Sequence, residues 1–258
     1  SARFAAQKAG IPDADVEKVR RLLHAAITRE PGQRGTSPEN AAAMGEVFGY
    51  LAGLIATCRA DRSLARGLLA DLLDAQVDGV PLHDQQIAAE LHTLLVTGSE
   101  TVELASAAAL FHLDTSTHKR EVLDDPGLAT ALFAEAVRFD HPTDMLCRVV
   151  REDVVVGGHT LRTGQGVLLL WASANRDERE FAQAGVFDVH RRYERDLRFG
   201  HGQHRCIGEH VAARMGTAIL GTLLHAIRDY EIDHGGVHRR PGEFLKGFDR
   251  MPITVTRR

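Results

Sequence analysis

In the first half of the chain, apolar residues recur at three-and-four spacing, the period of a helix that buries one face. Val16, Val19, Leu22, Leu23 and Ile27 predict a helix over 14–28, with Pro12 and Asp13 placed to start it. A run of chain breakers follows (Pro31, Gly32, Gly35, Ser37, Pro38). The pattern then predicts a second helix over about 40–59 and a short third one over about 63–76, closed by Asp78-Gly79-Val80-Pro81. From Leu82 to Leu113 no proline interrupts, and Ile87, Leu91, Leu94, Leu95, Val102 and Ala105 keep the helical period. At 1.5 Å per residue this is a rod of roughly 45–50 Å, apolar over so much of its surface that it belongs in the middle of a fold.

A further helix is predicted over about 127–139, after which the period changes. Val149-Val150, Val154-Val155-Val156 and Val167-Leu168-Leu169-Leu170 are short apolar runs punctuated by Gly157-Gly158 and Gly164, and they predict strands in hairpins. Residues 172–198 are charged and aperiodic. A last long helix is expected over about 207–228 and a closing hairpin within 229–256. No repeat or long linker separates the halves, so the pattern predicts a single domain over 1–258, mainly α with a small β portion.

Composition narrows the class. The chain has 258 residues, 44% hydrophobic and 26% charged, enough for a sizeable core. Its formal net charge of −4 lacks the basic excess by which nucleic-acid binders displace counterions. No apolar run reaches the ~20 residues of a membrane helix, and the amino terminus shows no signal-peptide pattern. Three widely spaced cysteines, an odd count, make no disulfide framework and fit a reducing, cytoplasmic compartment.

The stretch with most chemistry is Phe199-Gly200-His201-Gly202-Gln203-His204-Arg205-Cys206-Ile207-Gly208. It places a cysteine between a glycine-rich loop and the start of a long helix. Helix-start amides and a neighbouring cation such as Arg205 favour a thiolate over a thiol. Gly200, Gly202 and Gly208 permit a tight loop and remove side chains that would block a flat ligand. A single thiolate among backbone N–H groups is a tunable axial metal ligand. Two other readings stay open on these residues: a zinc site from His201, His204, Cys206 and His210, and an inert cysteine beneath a glycine loop.

The phrase Phe-Gly-x-Gly-x-His-x-Cys-x-Gly, continued by Val211-Ala212-Ala213-Arg214, resembles the cysteine-ligand loop of the cytochrome P-450 family, the haem-thiolate monooxygenases, in its soluble bacterial form. The resemblance implies that Cys206 is the axial ligand of haem b, that His204 contacts a propionate and that Phe199 packs beside the thiolate. Further segments along the chain resemble the family. Glu135-Ala136-Val137-Arg138 is a common surface pair when taken alone. In the family the same spacing is a buried network joined by an arginine of the aperiodic segment, here Arg191. Arg148, after His141-Pro142, stands where the family binds a propionate, and Ala174-Asn175-Arg176-Asp177 matches the opening of that segment. Thr97-Gly98-Ser99-Glu100-Thr101 resembles the oxygen-activation motif. It implies that Gly98 opens the helix beside the haem, that Thr101 holds a hydrogen bond near dioxygen and that Glu100 delivers protons.

Three departures from the family pattern touch local geometry: Thr97 in place of a smaller residue, Asp196-Leu197-Arg198 in place of His-Leu-Ala, and Glu178 and Ala184 in place of prolines. The resemblance covers nearly the whole chain as the C-terminal part of the P-450 fold, a long central helix over a cysteine-ligated haem, without roughly the family's first third. It implies a monooxygenase that oxygenates a small hydrophobic substrate with dioxygen and electrons from an external, ferredoxin-type donor. Arg192, Arg195, Arg198 and Arg205 form a candidate docking patch for that donor, or a solvated face. Leu94, Thr97, Gly98, Thr101, Thr143 to Leu146 and Lys246-Gly247-Phe248 are candidate substrate-lining positions. The alternative is a non-catalytic or haem-binding-only relative that serves another enzyme as a partner.

Overall fold

In the computed structural model, which describes residues 1–28, 32–33, 35–240 and 245–258, the polypeptide divides into two units, Ser1–Glu103 and Leu104–Arg258. Pro31, among the predicted breakers, lies outside the described residues, as do 241–244 within the predicted closing hairpin.

The first unit is helical: α1 (Ala2–Ala9), α2 (Val16–Ile27), α3 (Pro38–Ala60), α4 (Gly67–Asp74) and α5 (Asp84–Ser99). Ser37 starts α3 with a capping box. Its hydroxyl accepts from the Asn40 N–H at 3.1 Å, Asn40 Oδ1 accepts from the Ser37 N–H at 3.3 Å, and Pro38 occupies the first turn. The buried Asn40 amide also donates to the Ala25 and Thr28 carbonyls, tying the end of α2 to the start of α3. The predicted faces then meet as expected: Val19 and Leu23 of α2, Val47, Leu51 and Ile55 of α3, Leu69 of α4, and Ile87, Leu91 and Leu95 of α5 form one core. Where α1 and α4 cross, glycine is required on both sides. A Cβ on Gly10 would lie 2.2 Å from the Arg66 carbonyl oxygen, and one on Gly67 would lie 2.4 Å from that of Lys8.

Two expectations are corrected here. The third helix is shorter than predicted, and Gln76–Val77 (β1) pairs with Val80–Pro81 (β2). Asp78 and Gly79 both have positive φ, the backbone of a two-residue hairpin, so the segment read as a helix stop is a turn between strands. By length and composition alone, α3 and the segment Asp84–Asp114 are apolar enough to cross a membrane, contrary to the count of apolar runs. In α3 much of that character comes from its alanines and the core stripe Ala43, Val47, Leu51, Ile55 and Cys58.

The predicted rod is also interrupted. It breaks at Glu100 (φ −116°, ψ −33°) and resumes as α6 (Thr101–Asp114). Around the break three hydroxyls bond the preceding turn: Thr97 to the Thr93 carbonyl (2.7 Å), Ser99 to that of Val96 (3.3 Å) and Thr101 to that of Thr97 (2.9 Å). Such back-bonding competes with the helical ladder and bends it.

The second unit continues through α6 to α7 (Lys119–Asp124) and α8 (Ala129–Phe139). Strands β3 (Leu146–Val149), β4 (Val154–Val156), β5 (His159–Leu161) and β6 (Gly166–Leu169) follow, then the short α9 (Trp171–Ala174), the irregular stretch and α10 (Glu209–Ala226). Strands β7 (Ile227–Ile232), β8 (His238–Arg239), β9 (Phe248–Arg250) and β10 (Ile253–Arg257) close the chain. All pairings are antiparallel: β3 with β6, β4 with β5, β8 with β9, and β10 with β7. The predicted strands and closing hairpin are therefore present, in two-stranded sheets.

Helix α10 lies on α8 at a glycine. A Cβ on Gly216 would meet the buried Phe133 ring at 2.2 Å. Gly216→Ala is expected to destabilise the protein by about 1–3 kcal/mol through overpacking, read as a lower urea midpoint with an unchanged slope.

Candidate functional site

Glu135 and Arg138 lie one turn apart on α8, and both are fully buried. All five guanidinium N–H groups of Arg138 are used. Nε and Nη2 donate to the two Glu135 carboxylate oxygens at 2.8 and 2.6 Å. Nη1 donates to the carbonyls of Asn175 and Ala184, both at 3.0 Å, and Nη2 also donates to that of Val186 at 3.2 Å. Glu135 in turn accepts from the Asp188 N–H (2.9 Å), Arg191 Nε (3.4 Å) and the Tyr193 hydroxyl (2.8 Å). Arg191, the predicted third member, also donates to the carbonyls of Ala182, Gln183 and Val186. A charge pair removed from water is tolerable only with its remaining donors and acceptors filled, which is the arrangement here.

The network stitches residues 175–193 to α8, and two more contacts carry the hold to the cysteine loop. The buried Asn175 accepts the Leu197 N–H at 3.0 Å, and buried His141 reaches the Arg198 carbonyl through Nε2 at 2.8 Å. Burial pushes the His141 pKa down, against the pull of two backbone carbonyls: that of Arg198 at Nε2, and that of Thr143, whose oxygen stands 2.6 Å from Nδ1 while the Thr143 N–H reaches the same nitrogen at 3.1 Å. Burial also opposes ionisation of Asp196, but Arg198 Nε at 2.9 Å outweighs it and holds that carboxyl below its usual range. Asp196 and Arg198 thus neutralise each other beside the loop, and the guanidinium stacks 4.0 Å above the Tyr193 ring.

The loop itself turns on Gly200 (φ +73°) and Gly202 (φ +71°), conformations that favour glycine, and closes with the Cys206 N–H on the Phe199 carbonyl at 2.8 Å. Helix α10 starts at Glu209 with Gly208 as its cap, two residues later than predicted. A Cβ on Gly208 would touch Cys206 Sγ at 3.9 Å. Cys206 is a free, exposed thiol, and Ile207 beside it is fully exposed. Arg205 is turned to Glu209 (2.7 and 2.8 Å), so its charge is already matched. Arg195 pairs likewise with Glu180 at 2.7 Å. Of the four arginines read as a docking patch, only Arg192 makes no ion pair among the described residues.

His204 lies on the same loop, exposed. Arg148, half-buried on β3, makes no ion pair among the described residues and donates only to the Cys147 carbonyl. Among the described residues, no three metal-ligating atoms converge at Cys206, so the four-residue zinc reading has no geometry behind it. The remaining expected residues, Gly98, Glu100 and Thr101, belong to the first unit. Glu100 Oε1 lies 3.2 Å from His24 Nδ1 of α2, a partner the sequence pattern did not single out. Gly98 meets α1: a Cβ there would come within 3.1 Å of the Ala5 side chain, and the local opening expected of Gly98 occurs at Glu100 instead.

A family model described as Cytochrome P450 matches residues 122–234, the stretch holding the network, Arg148 and the cysteine loop. A putative cytochrome P450 123 of Mycobacterium tuberculosis is 35% identical over 251 residues, which is 96% of this chain and 62% of that relative. The chain belongs to the cytochrome P450 family. A 20-oxo-5-O-mycaminosyltylactone 23-monooxygenase of Streptomyces fradiae is 31% identical over 229 residues, covering 88% of this P450 chain and 54% of that protein. Among solved structures, P450BioI in complex with hexadec-9Z-enoic acid ligated acyl carrier protein superposes with a TM-score of 0.88 at 26% identity, covering 98% of this chain and 66% of that one. This P450 chain therefore spans less than two thirds of the curated relatives it matches here.

The family's cofactor is haem, and the residues of this P450 fit it. A lone exposed thiol on a rigid glycine loop suits single-point axial ligation, not a closed metal cage. The bare Ile207 beside it offers an apolar edge, and Arg148 is a cation without a carboxylate partner among the described residues. Tyr193 and His24 are supporting residues that sequence reasoning missed, and the anchoring contacts of His141 and Asn175 were not legible although both lie in segments that resemble the family. The local signals were the Pro142 that follows His141 and the Ala174-Asn175-Arg176-Asp177 match around Asn175.

Proposed function

We propose that this chain, as one domain, carries the haem-ligating part of a cytoplasmic haem-thiolate monooxygenase that places one atom of dioxygen in a small hydrophobic substrate and releases the other as water. The observation that supports this best is a free Cys206 on a loop anchored by a fully satisfied buried charge network. Haem b, when bound, supplies the redox centre at which dioxygen is activated.

In this reading Cys206 ligates through Sγ, and thiolate is the donor type that favours O–O cleavage. Gly200 and Gly208 keep the loop clear for the flat ring, and Phe199 packs beside the sulfur. Arg148 holds a propionate with its planar donor fork, and His204 holds one by a ring N–H. Thr101 keeps its hydroxyl on the Thr97 carbonyl until it is needed to hold a hydrogen bond near dioxygen. Glu100, paired with His24, moves protons toward it. Thr143 bridges Leu245, and the Lys246 N–H donates to the Pro142 carbonyl, so two of the expected substrate-lining segments lie together in the second unit. Electrons come from an external, ferredoxin-type donor.

Addition of carbon monoxide to the reduced, haem-loaded protein tests the reading. A strongly red-shifted Soret band is expected, and its absence would refute thiolate ligation. Glu100→Gln is expected to slow turnover by about 10²-fold or more. Thr101→Ala should leave substrate binding intact while product per dioxygen consumed falls and peroxide appears. Unchanged rate and coupling in both variants would remove the two residues from the chemistry.

A further inference from the structure

Away from the cysteine loop, four side chains of the second unit converge on the surface between α7 and the irregular segment. His118 caps α7, Glu121 lies one turn on, and Asp188 and His190 come from the facing backbone. His190 Nε2 stands 3.0 and 3.1 Å from the two Glu121 carboxylate oxygens, and His118 Nδ1 stands 3.4 Å from one of them. The ligand atoms of His118, Glu121 and His190 all lie within 4.8 Å of one another. On its other side, His118 Nε2 faces Asp188 Oδ1 at 3.5 Å.

We infer that His118, Glu121 and His190 form a surface site for a divalent transition-metal ion of the zinc type, with Asp188 orienting His118. Three observations carry this. First, a neutral imidazole has one N–H, yet both nitrogens of His118 face carboxylate oxygens. Such a ring is satisfied on both sides either by a second ring proton or by a cation seated between a ring nitrogen and its carboxylate. Second, bonds of about 2.0–2.1 Å set tetrahedral ligand–ligand edges near ~3.4 Å, close to the separations around Glu121, and two imidazoles with a carboxylate are a donor set zinc accepts. Third, Asp188 Oδ1 stands 3.5 Å from Nε2 of His118, on the side away from Glu121, where a carboxylate fixes the tautomer of a ligating imidazole.

The site is also held in place before any ion arrives. The Asp188 N–H is bonded to Glu135, the His190 N–H to Asp188 Oδ1 at 2.9 Å, and the Arg191 N–H to the Asp188 carbonyl at 3.2 Å. The nearby cations are directed elsewhere, Lys119 to Asp114 and Arg120 to Asp124. The three ligands are partly exposed, so water would complete the coordination. A bound ion would tie α7 to the segment that carries Arg191 and would stiffen the support of the cysteine loop.

The test is titration of the chelator-treated, dialysed protein with zinc chloride, followed calorimetrically, and with cobalt chloride, followed by visible absorption. One saturable equivalent is expected, with a raised melting temperature and no sulfur-to-cobalt charge-transfer band. Glu121→Gln and His190→Ala should abolish it, Asp188→Asn should weaken it by about 10–100-fold, and Cys206→Ala should leave it unchanged. Absence of saturable binding would overturn the site. So would binding that survives Glu121→Gln and His190→Ala, or binding that disappears with Cys206→Ala.

Discussion

Arg138→Ala is expected to destabilise the protein by about 3–5 kcal/mol, a large fraction of the stability of an ordinary domain. The argument rests on what the substitution leaves behind. Glu135 remains fully buried, keeping only Arg191 at 3.4 Å, the Tyr193 hydroxyl and the Asp188 N–H. The carbonyls of Asn175 and Ala184 lose their Arg138 donors, and the buried volume of the guanidinium becomes a cavity. Urea unfolding should show a midpoint shift of this size. Arg138→Lys should recover only part of it, because a compact ammonium cannot fill the five directions of the fork. A loss under about 1 kcal/mol would mean that the network is replaceable and does not anchor the loop.

Cys206→Ala is expected to abolish the red-shifted carbon monoxide band completely while leaving the unfolding midpoint of the haem-free protein within about 0.5 kcal/mol of the unmodified chain. The contrast with Arg138 follows from position. Cys206 is exposed, and its place in the fold is made by its backbone N–H on the Phe199 carbonyl, which alanine keeps. The chemistry goes and the fold stays. If the band survived in Cys206→Ala, the exposed Cys147 on β3 would be the thiol to examine. If the haem-free protein unfolded far more easily, the cysteine would be a structural residue and the ligand reading would lose its main support.

Most of the helices and strands were readable along the chain, because burial of one face imposes a period that survives without knowing the partner. The break at Glu100 was not, since it depends on three hydroxyls bonding carbonyls of the previous turn, which leaves the apolar period untouched. The hairpin at Asp78-Gly79 was read only as a stop, because strands of two residues carry no measurable alternation. The pairing of the arginines was hidden for a related reason. Arg195 is neutralised by Glu180, fifteen positions away, which a local count of basic residues does not register.

By itself, the sequence determined the patterns from which the site is read and their order along the chain: an acid–threonine pair on a long helix, a Glu-x-x-Arg before an aperiodic stretch, and a cysteine after a glycine loop. Those are local patterns, legible without knowledge of the fold. Only the tertiary structure decided which charges are buried. A glutamate and arginine three apart look the same on a solvated face as in a core. The separation is made by residues 175 to 193, which bring carbonyls, Arg191 and Tyr193 onto them. Tyr193 lies 58 positions from Glu135, His141 lies 57 from Arg198 and His24 lies 76 from Glu100. Contacts over such separations exist only when packing excludes water around them, and that condition belongs to the folded molecule.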